Sequence, residues 1–144
     1  MTRIEFFLEG KIPAGTHQMK KVTVVNGKPR FYEPESLKAA REYYMTMLKP
    51  HAPKAPLKGA ISLETVWYYK PSKSNKVKNG LKTTAPDTDN LVKLLKDCMT
   101  ACGFWEDDAQ VAREYICKRW SAECEGVKIE IYVATEAQEM KLSI

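Results

Sequence analysis

Two short acidic motifs are the parts of this chain best suited to chemistry. Asp87 and Asp89 stand two positions apart where a helix is predicted to begin, and Glu106, Asp107 and Asp108 form a continuous acidic run before a predicted strand. Carboxylate oxygens are the ligands that Mg²⁺ and Mn²⁺ prefer, with water and substrate phosphate completing the coordination shell. If the two motifs meet, they form a centre that can activate water against a phosphodiester.

Lysines accompany these acids on both sides of the helix start. Lys93 follows Asp89 by about one helical turn, where an ammonium can stabilise charge on a phosphoryl group. Upstream, the loop over residues 70–82 has no acidic residue and contains Lys70, Lys73, Lys76, Lys78 and Lys82. Such a loop either binds a phosphate backbone or is a solvated surface. An acidic centre beside a basic loop is typical of a nuclease.

The first motif also has a purely structural interpretation. Asp87 and Asp89 suit a helix N-terminus, where carboxylates accept hydrogen bonds from free N–H groups. Lys93 can form solvated i,i+4 pairs with Asp89 and Asp97, worth roughly a few tenths of a kcal/mol. Taken alone, caps and surface pairs explain these residues better than catalysis does.

Hydropathy patterning predicts the elements that must bring the motifs together. Strands are predicted over 3–9, 60–69, 109–120 and 126–134, a hairpin over 20–32 around Asn26-Gly27, and helices over 35–48 and 89–101. This order predicts an α+β fold with a mixed, mainly antiparallel sheet and two helices packed on one face. A helix of about 13 residues is about 20 Å long. The strand after it must therefore run back alongside the helix for the motifs to share a site.

Other side chains in the chain favour structural roles. Phe104 and Trp105 precede the acidic run and should pin that turn to the body of the protein. Three aromatic residues end the predicted strand over 60–69, and aromatic residues in such a place more often belong to the core than stack on unpaired bases. They are Trp67, Tyr68 and Tyr69. His17 and His51 lie in turn-like surroundings far from the acids, which favours surface histidines.

Composition sets limits on the class of protein. The chain has 144 residues and a net charge of +5, consistent with a single domain over 1–144, with a flexible tail considered for about 135–144. No apolar run reaches the roughly 18 residues that span a bilayer, and the N-terminus lacks a secretory signal. We therefore expect a cytoplasmic protein without a membrane partner or an organic cofactor. The chain has four cysteines, Cys98, Cys102, Cys117 and Cys124. Their spacing does not match that of the usual zinc sites.

At these motifs the chain resembles the RusA family of Holliday junction resolvases, which occur in prophages and bacteriophages. The family pattern is D-x-D-N-L-x-K, an Asp one turn later, and then G-F/W-x-x-D-D-x-Q-V. This chain matches it with Asp87-x-Asp89-Asn90-Leu91-x-Lys93, Asp97, and the run from Gly103 to Val111, and the dense match covers 86–118. The resemblance implies a RusA-like fold and a homodimeric endodeoxyribonuclease that uses Mg²⁺, with Mn²⁺ as a substitute. Its activity would be to resolve four-way DNA junctions by paired symmetric nicks in recombination and repair.

The resemblance also implies roles for individual residues. Asp87, Asp89 and Asp108 match the metal-binding, catalytic carboxylates, and Lys93 matches the catalytic lysine. Asp107 is assigned to the metal site because it adjoins Asp108. Two further matches are Asp97, ranked as structural or supporting, and Lys118, expected to touch DNA or the site. The segment over 13–18 departs from the family's Pro-rich, Asn-containing turn.

Two alternative functions remain open at this point. One is a branched-DNA-binding protein without catalysis, which would bind junctions in a salt-sensitive way and need no metal. The other is a metal-dependent nucleotide phosphohydrolase, which would act on free nucleotides and would not need the basic loop.

Overall fold

The computed structural model describes residues 2–14, 21–32, 34–74 and 79–133. In chain order its strands are β1 (Thr2–Glu9), β2 (Lys21–Val25), β3 (Lys28–Tyr32), β4 (Ile61–Tyr69), β5 (Gly80–Leu81), β6 (Val111–Trp120) and β7 (Gly126–Val133). The helices are α1 (Glu35–Leu48) and α2 (Thr88–Ala101), with 3₁₀ turns at Lys49–His51 and Asp108–Gln110. The predicted α+β class is confirmed, and the tail considered for 135–144 lies outside the described residues.

Five strands form the main sheet in the order β1-β7-β4-β6-β5, and β2 and β3 pair separately as a hairpin. All neighbours in the main sheet are antiparallel except β4 and β6, so the sheet is mixed and mainly antiparallel as predicted. A parallel pair requires a crossover connection, and α2 lies in the connection between β4 and β6. The strand that follows α2 therefore runs back beside the helix.

The hydrophobic core lies between the helices and one face of the sheet. Along β4 every second residue is buried, namely Ile61, Leu63, Thr65 and Trp67, which is the two-residue period of a strand with one covered face. The apolar sides of α1 and α2 join the same core cluster. Trp67 belongs to this core and donates from Nε1 to Thr65 Oγ1 at 2.9 Å. Neither helix in the described part of the chain is long and apolar enough to cross a membrane.

Two turn signals have the conformations that their residues favour. Asn26 and Gly27 both have positive φ, 53° and 76°, which is what a tight hairpin between β2 and β3 requires. Gly103 follows α2 with φ of 84°, and its N–H donates to Thr100 O at 3.0 Å, so glycine ends the helix as predicted.

A charged network occupies β1 and β7 on the face of the sheet opposite the helices. Arg3 lies 2.6 Å from Glu5 and 3.4 Å from Glu130, and Lys128 lies 3.1 Å from Glu130. Tyr132 donates its hydroxyl proton to the same Glu130 carboxylate. The hydrogen bonds from Tyr132 and then Lys128 lower the pKa of Glu130. The ionised form of Glu130 is therefore favoured by the folded state.

We expect Glu130→Gln to lower the free energy of unfolding at neutral pH by about 0.5–1 kcal/mol, the size of a partly exposed ion-pair network. Because the folded state depresses the pKa of Glu130, its stabilisation is complete above the unfolded pKa and is lost as pH falls through the folded pKa. Urea unfolding at pH 7 and pH 3 should show the difference from wild type shrinking at the lower pH. Glu123→Gln, in an exposed turn, is the control, and a pH-independent difference for Glu130→Gln would contradict the prediction.

Candidate active site

The first acidic motif lies at the start of α2, on its exposed side. Asp87 is the residue before the helix, with an extended backbone (φ −69°, ψ 148°), and Asp89 lies in the first turn. Asp87, Asp89 and Lys93 are exposed, and the opposite side of the helix buries Leu91, Leu94, Leu95, Cys98 and Met99. The Asp87 side chain makes no capping hydrogen bond to the helix. The capping interpretation of Asp87 is therefore wrong for its side chain, because its carboxylate does not cap the start of the helix.

Two buried aromatic residues hold the second acidic motif against the body, as predicted. Phe104 is fully buried and Trp105 is 1% exposed. Trp105 donates from Nε1 to Thr100 Oγ1 at 2.7 Å, and Leu57 N–H donates to Phe104 O at 2.9 Å. The acidic turn is thus attached both to the end of α2 and to the segment before β4.

Gln110 fixes the conformation of this turn. Its Nε2 donates to Leu57 O at 2.9 Å and Gly59 O at 3.2 Å. Its Oε1 accepts from the N–H groups of Glu106 and Asp107 at 2.9 and 3.1 Å. Asp107 completes a capping box by accepting from Ala109 N–H at 2.9 Å.

We expect Gln110→Ala to destabilise the protein by roughly 1–3 kcal/mol, since it removes the partners of four backbone groups. The junction cutting that the family resemblance implies should fall more than stability alone explains, because Asp108 sits within the turn that Gln110 holds. Thermal unfolding and cleavage rates on one preparation check this. Glu106→Gln leaves the backbone contacts intact and serves as the control. Unchanged cutting by Gln110→Ala would mean that the turn keeps its shape without this side chain.

A cavity of about 470 Å³ brings the two motifs together between α2 and β6. Asp89 and Lys93 line it from the helix, and Asp108 lines it from the turn before β6. The full lining comprises Thr88, Asp89, Asn90, Val92, Lys93, Lys96, Asp97, Asp108, Glu114 and Ile116. β6 runs back beside α2, so Glu114 and Ile116 of the strand line the same cavity as the exposed side of the helix, and Asp108 lines it from the turn in which the strand begins.

The structure places the other two predicted ligands differently. Asp87 lies just before α2 and does not line this cavity. Asp107 caps the 3₁₀ turn and lines a separate cavity with Lys58 and Glu106. The Asp107 carboxylate therefore has a structural role, because it accepts a hydrogen bond from the backbone of the same turn.

The donors around the cavity suit a hard divalent cation. They are carboxylates without sulfur or imidazole, from Asp89, Asp97, Asp108 and Glu114. Within the described ranges no three His, Cys, Asp or Glu side chains are grouped closely enough to hold a metal ion. Mg²⁺ needs only one or two protein carboxylates, because water and substrate phosphates supply the remaining oxygens. The residues present therefore fit such an ion.

Sequence reasoning missed one ion pair in this cavity. Lys96 Nζ lies 2.5 Å from Glu114 Oε1, with side chains 22% and 28% exposed. The pair joins α2 directly to β6 across the cavity wall. A glutamate in a strand signals nothing by itself. The helical wheel places Lys96 about 20° from Asp89, but only the register of β6 brings Glu114 opposite it.

The lysines predicted to bind DNA fall into two groups. Lys70 and Lys73 are exposed, whereas Lys76 and Lys78 lie outside the described residues. Lys82 is buried, at 8% exposure, and Lys118 turns its Nζ onto the carbonyl oxygens of Thr84 and Pro86 at 2.7 Å. In this structure Lys82 and Lys118 donate hydrogen bonds to the loop before α2.

Cysteines and histidine occupy structural positions. Cys98 is buried in the core, and Cys102 Sγ lies 3.7 Å from the sulfur of Met45. His51 stacks on Phe6 with ring centroids 4.3 Å apart, and His17 lies outside the described residues. The positions of Cys98 and Cys102 agree with their interpretation as small apolar side chains, whereas Cys124 is exposed.

Comparison with known proteins places this geometry in a family. The family model described as Endodeoxyribonuclease RusA matches residues 11–132. The crossover junction endodeoxyribonuclease rusA of Lactococcus phage r1t is 33% identical over 109 residues, covering 74% of this chain and 79% of the relative. The uncharacterized protein YqaN of Bacillus subtilis (strain 168) is 30% identical over 112 residues, covering 70% of this chain and 78% of the relative. With most of its length matched and both acidic motifs in one cavity, this chain belongs to the RusA endodeoxyribonuclease family.

Proposed function

We propose that this protein is a structure-specific endodeoxyribonuclease that resolves four-way DNA junctions by metal-dependent hydrolysis of phosphodiester bonds. The observation that carries the proposal is the cavity shared by Asp89, Lys93 and Asp108. These residues come from two motifs that the chain separates by a whole helix. The phage relative named as a crossover junction endodeoxyribonuclease supports the choice of substrate.

The residues that would hold the cation are Asp89 and Asp108, with Asp87 joining from the residue before α2. A divalent ion bound there supplies an activated water and relieves charge at the leaving oxygen. Lys93 is exposed within the same cavity, so its ammonium can donate to a non-bridging oxygen of the scissile phosphate and stabilise the charge that develops there. Mg²⁺ is the proposed ion and Mn²⁺ the substitute, since both take oxygen ligands.

The exposed lysines before the site would hold the DNA. Lys70 and Lys73 leave β4 on the loop that leads to α2, and both are exposed. Contacts from such lysines to phosphates position a nucleic acid without reading its sequence. We assign Lys76 and Lys78 to the same contact from their place in this loop, and we assign Lys82 and Lys118 another role, argued below.

The proposed enzyme acts as a homodimer. A four-way junction has approximate two-fold symmetry, and a two-fold dimer presents two equal sites to two equivalent strands. Light scattering should therefore give twice the mass of the chain, and the nicks should be paired and symmetric.

A synthetic four-way junction and a linear duplex of the same sequence test the proposal. With Mg²⁺ or Mn²⁺ the junction should be cut by paired nicks while the duplex stays intact, and chelation should abolish cutting. Salt-sensitive junction binding without any cutting would favour a non-catalytic junction-binding protein. Hydrolysis of free nucleotides, unaffected by neutralising Lys70 and Lys73, would favour a nucleotide phosphohydrolase.

A further inference from the structure

Two lysines hold the backbone of residues 84–86, and we call this arrangement the lysine clasp. Lys82 Nζ donates to Thr84 Oγ1 at 2.5 Å, Ala85 O at 2.6 Å and Thr84 O at 3.3 Å. Lys118 Nζ donates to Thr84 O and Pro86 O, both at 2.7 Å. Three consecutive carbonyl groups are thus bound by two ammonium groups.

Lys82 is enclosed by its surroundings, which direct its ammonium group toward residues 84–86. The residue is 8% exposed, and its Nζ lies 5.0 Å from the ring centre of Tyr69 and 4.6 Å from that of Trp120. An ammonium has three protons, and Lys82 has three oxygens within reach in its own loop. Burial, and then the charge of Lys118, lower the pKa of Lys82. A phosphate would have to displace these partners to reach it.

The clasp fixes the start of α2 to the sheet. Lys118 belongs to β6, and Lys82 N–H donates to Lys118 O at 2.9 Å, so both side chains start from the same ladder of backbone hydrogen bonds. The residue after the clasped segment is Asp87, whose carbonyl accepts from Leu91 N–H at 3.2 Å as α2 begins. Since Asp87 has no side-chain cap to orient it, the backbone before it must set its position.

We propose that Lys82 and Lys118 are positioning residues that hold residues 84–86 and thereby fix the start of α2, with Asp87 just before it and Asp89 lining the metal-binding cavity from its first turn. The inference rests on the proposed role of those carboxylates as metal ligands. The lysines act through the backbone and not through the substrate. Groups that orient metal ligands commonly change metal affinity 10- to 100-fold when removed.

The test uses Lys82→Met and Lys118→Met, which keep the apolar stem and remove the ammonium. We expect Mn²⁺ binding without DNA, measured by calorimetry, to weaken about tenfold or more. Amide hydrogen exchange at residues 87–91 should become about tenfold faster in both variants, since fewer contacts hold the segment. Junction affinity should stay within about twofold of wild type, and Lys→Arg at either position should restore metal binding in part.

Lys73→Met is the matched control, because it removes an exposed lysine from the same connection. It should weaken junction binding and reduce its salt dependence while metal binding and exchange stay at wild-type values. The proposal is overturned if Lys82→Met and Lys118→Met keep wild-type exchange and metal binding, or if they behave like Lys73→Met. Should Lys82→Met fail to fold, Lys118→Met, at a half-buried position, decides alone. If Asp87→Asn leaves Mn²⁺ binding unchanged, the proposed ligand role fails, and the exchange measurement still tests the clasp.

Discussion

Asp108→Asn and Asp89→Asn should each reduce junction cutting about a thousandfold or more while junction binding is retained. A bound divalent ion contributes several kcal/mol of charge stabilisation in the transition state, and about 4 kcal/mol corresponds to a thousandfold in rate. Each change removes one carboxylate charge from the cavity between α2 and β6 and leaves the size of the side chain unchanged. Single-turnover cutting with Mg²⁺, alongside junction affinity without metal, separates the chemical step from binding.

Asp107→Asn is the matched control for Asp108→Asn. The two residues are neighbours in one turn and lose the same charge, but Asp107 caps the turn by accepting from Ala109 N–H. Asn caps about as well as Asp, so this variant should fold normally and cut within a few-fold of wild type. Equal losses from Asp107→Asn and Asp108→Asn would place both carboxylates on the ion. Normal cutting by Asp89→Asn and Asp108→Asn would rule out this cavity as the site.

The elements with strong periodicity were predictable from sequence. The apolar side of α2, the strict alternation in β7 and the Asn26-Gly27 turn each repeat a local pattern that tertiary contacts only reinforce. The predicted strand over 109–120 begins instead at Val111, because Asp107 and Gln110 form a capping box and the residues between them make a 3₁₀ turn. The two-residue strand β5 could not be predicted, since two residues show no period.

The acidic residues of the site could be predicted from the sequence, but the side chains that hold them in place could not. Asp89 and Asp108 carry a spacing that suggests metal chemistry, and the return of β6 beside α2 follows from the order of the elements. The pairing of Lys96 with Glu114 depends on the register between a helix and a strand, which no local pattern sets. Lys82 belongs by sequence to a basic loop, and only the position of Tyr69, Trp120 and the carbonyls of 84–86 shows that it points inward.

Lys93→Met should lower the rate of cutting at saturating metal about 100-fold and leave Mn²⁺ binding nearly unchanged. Lys93 lines the cavity from the exposed side of α2, one turn beyond Asp89, where its ammonium can reach a phosphate oxygen. Loss of one such charge-stabilising donor typically costs about 100- to 1000-fold in rate. Single-turnover rates across a Mn²⁺ titration measure both quantities.

Lys96→Met distinguishes this role from a general need for positive charge. Lys96 lies on the same helix and lines the same cavity, but its ammonium is 2.5 Å from Glu114, so it is already neutralised by a carboxylate. We expect its loss to slow cutting less than about tenfold, the cost of one partly exposed ion pair of ~1 kcal/mol or less. Equal losses from both variants would show that the cavity needs only its net charge. A loss at Lys93 alone would assign the phosphate contact to that single ammonium, because the two lysines differ in what their charges face.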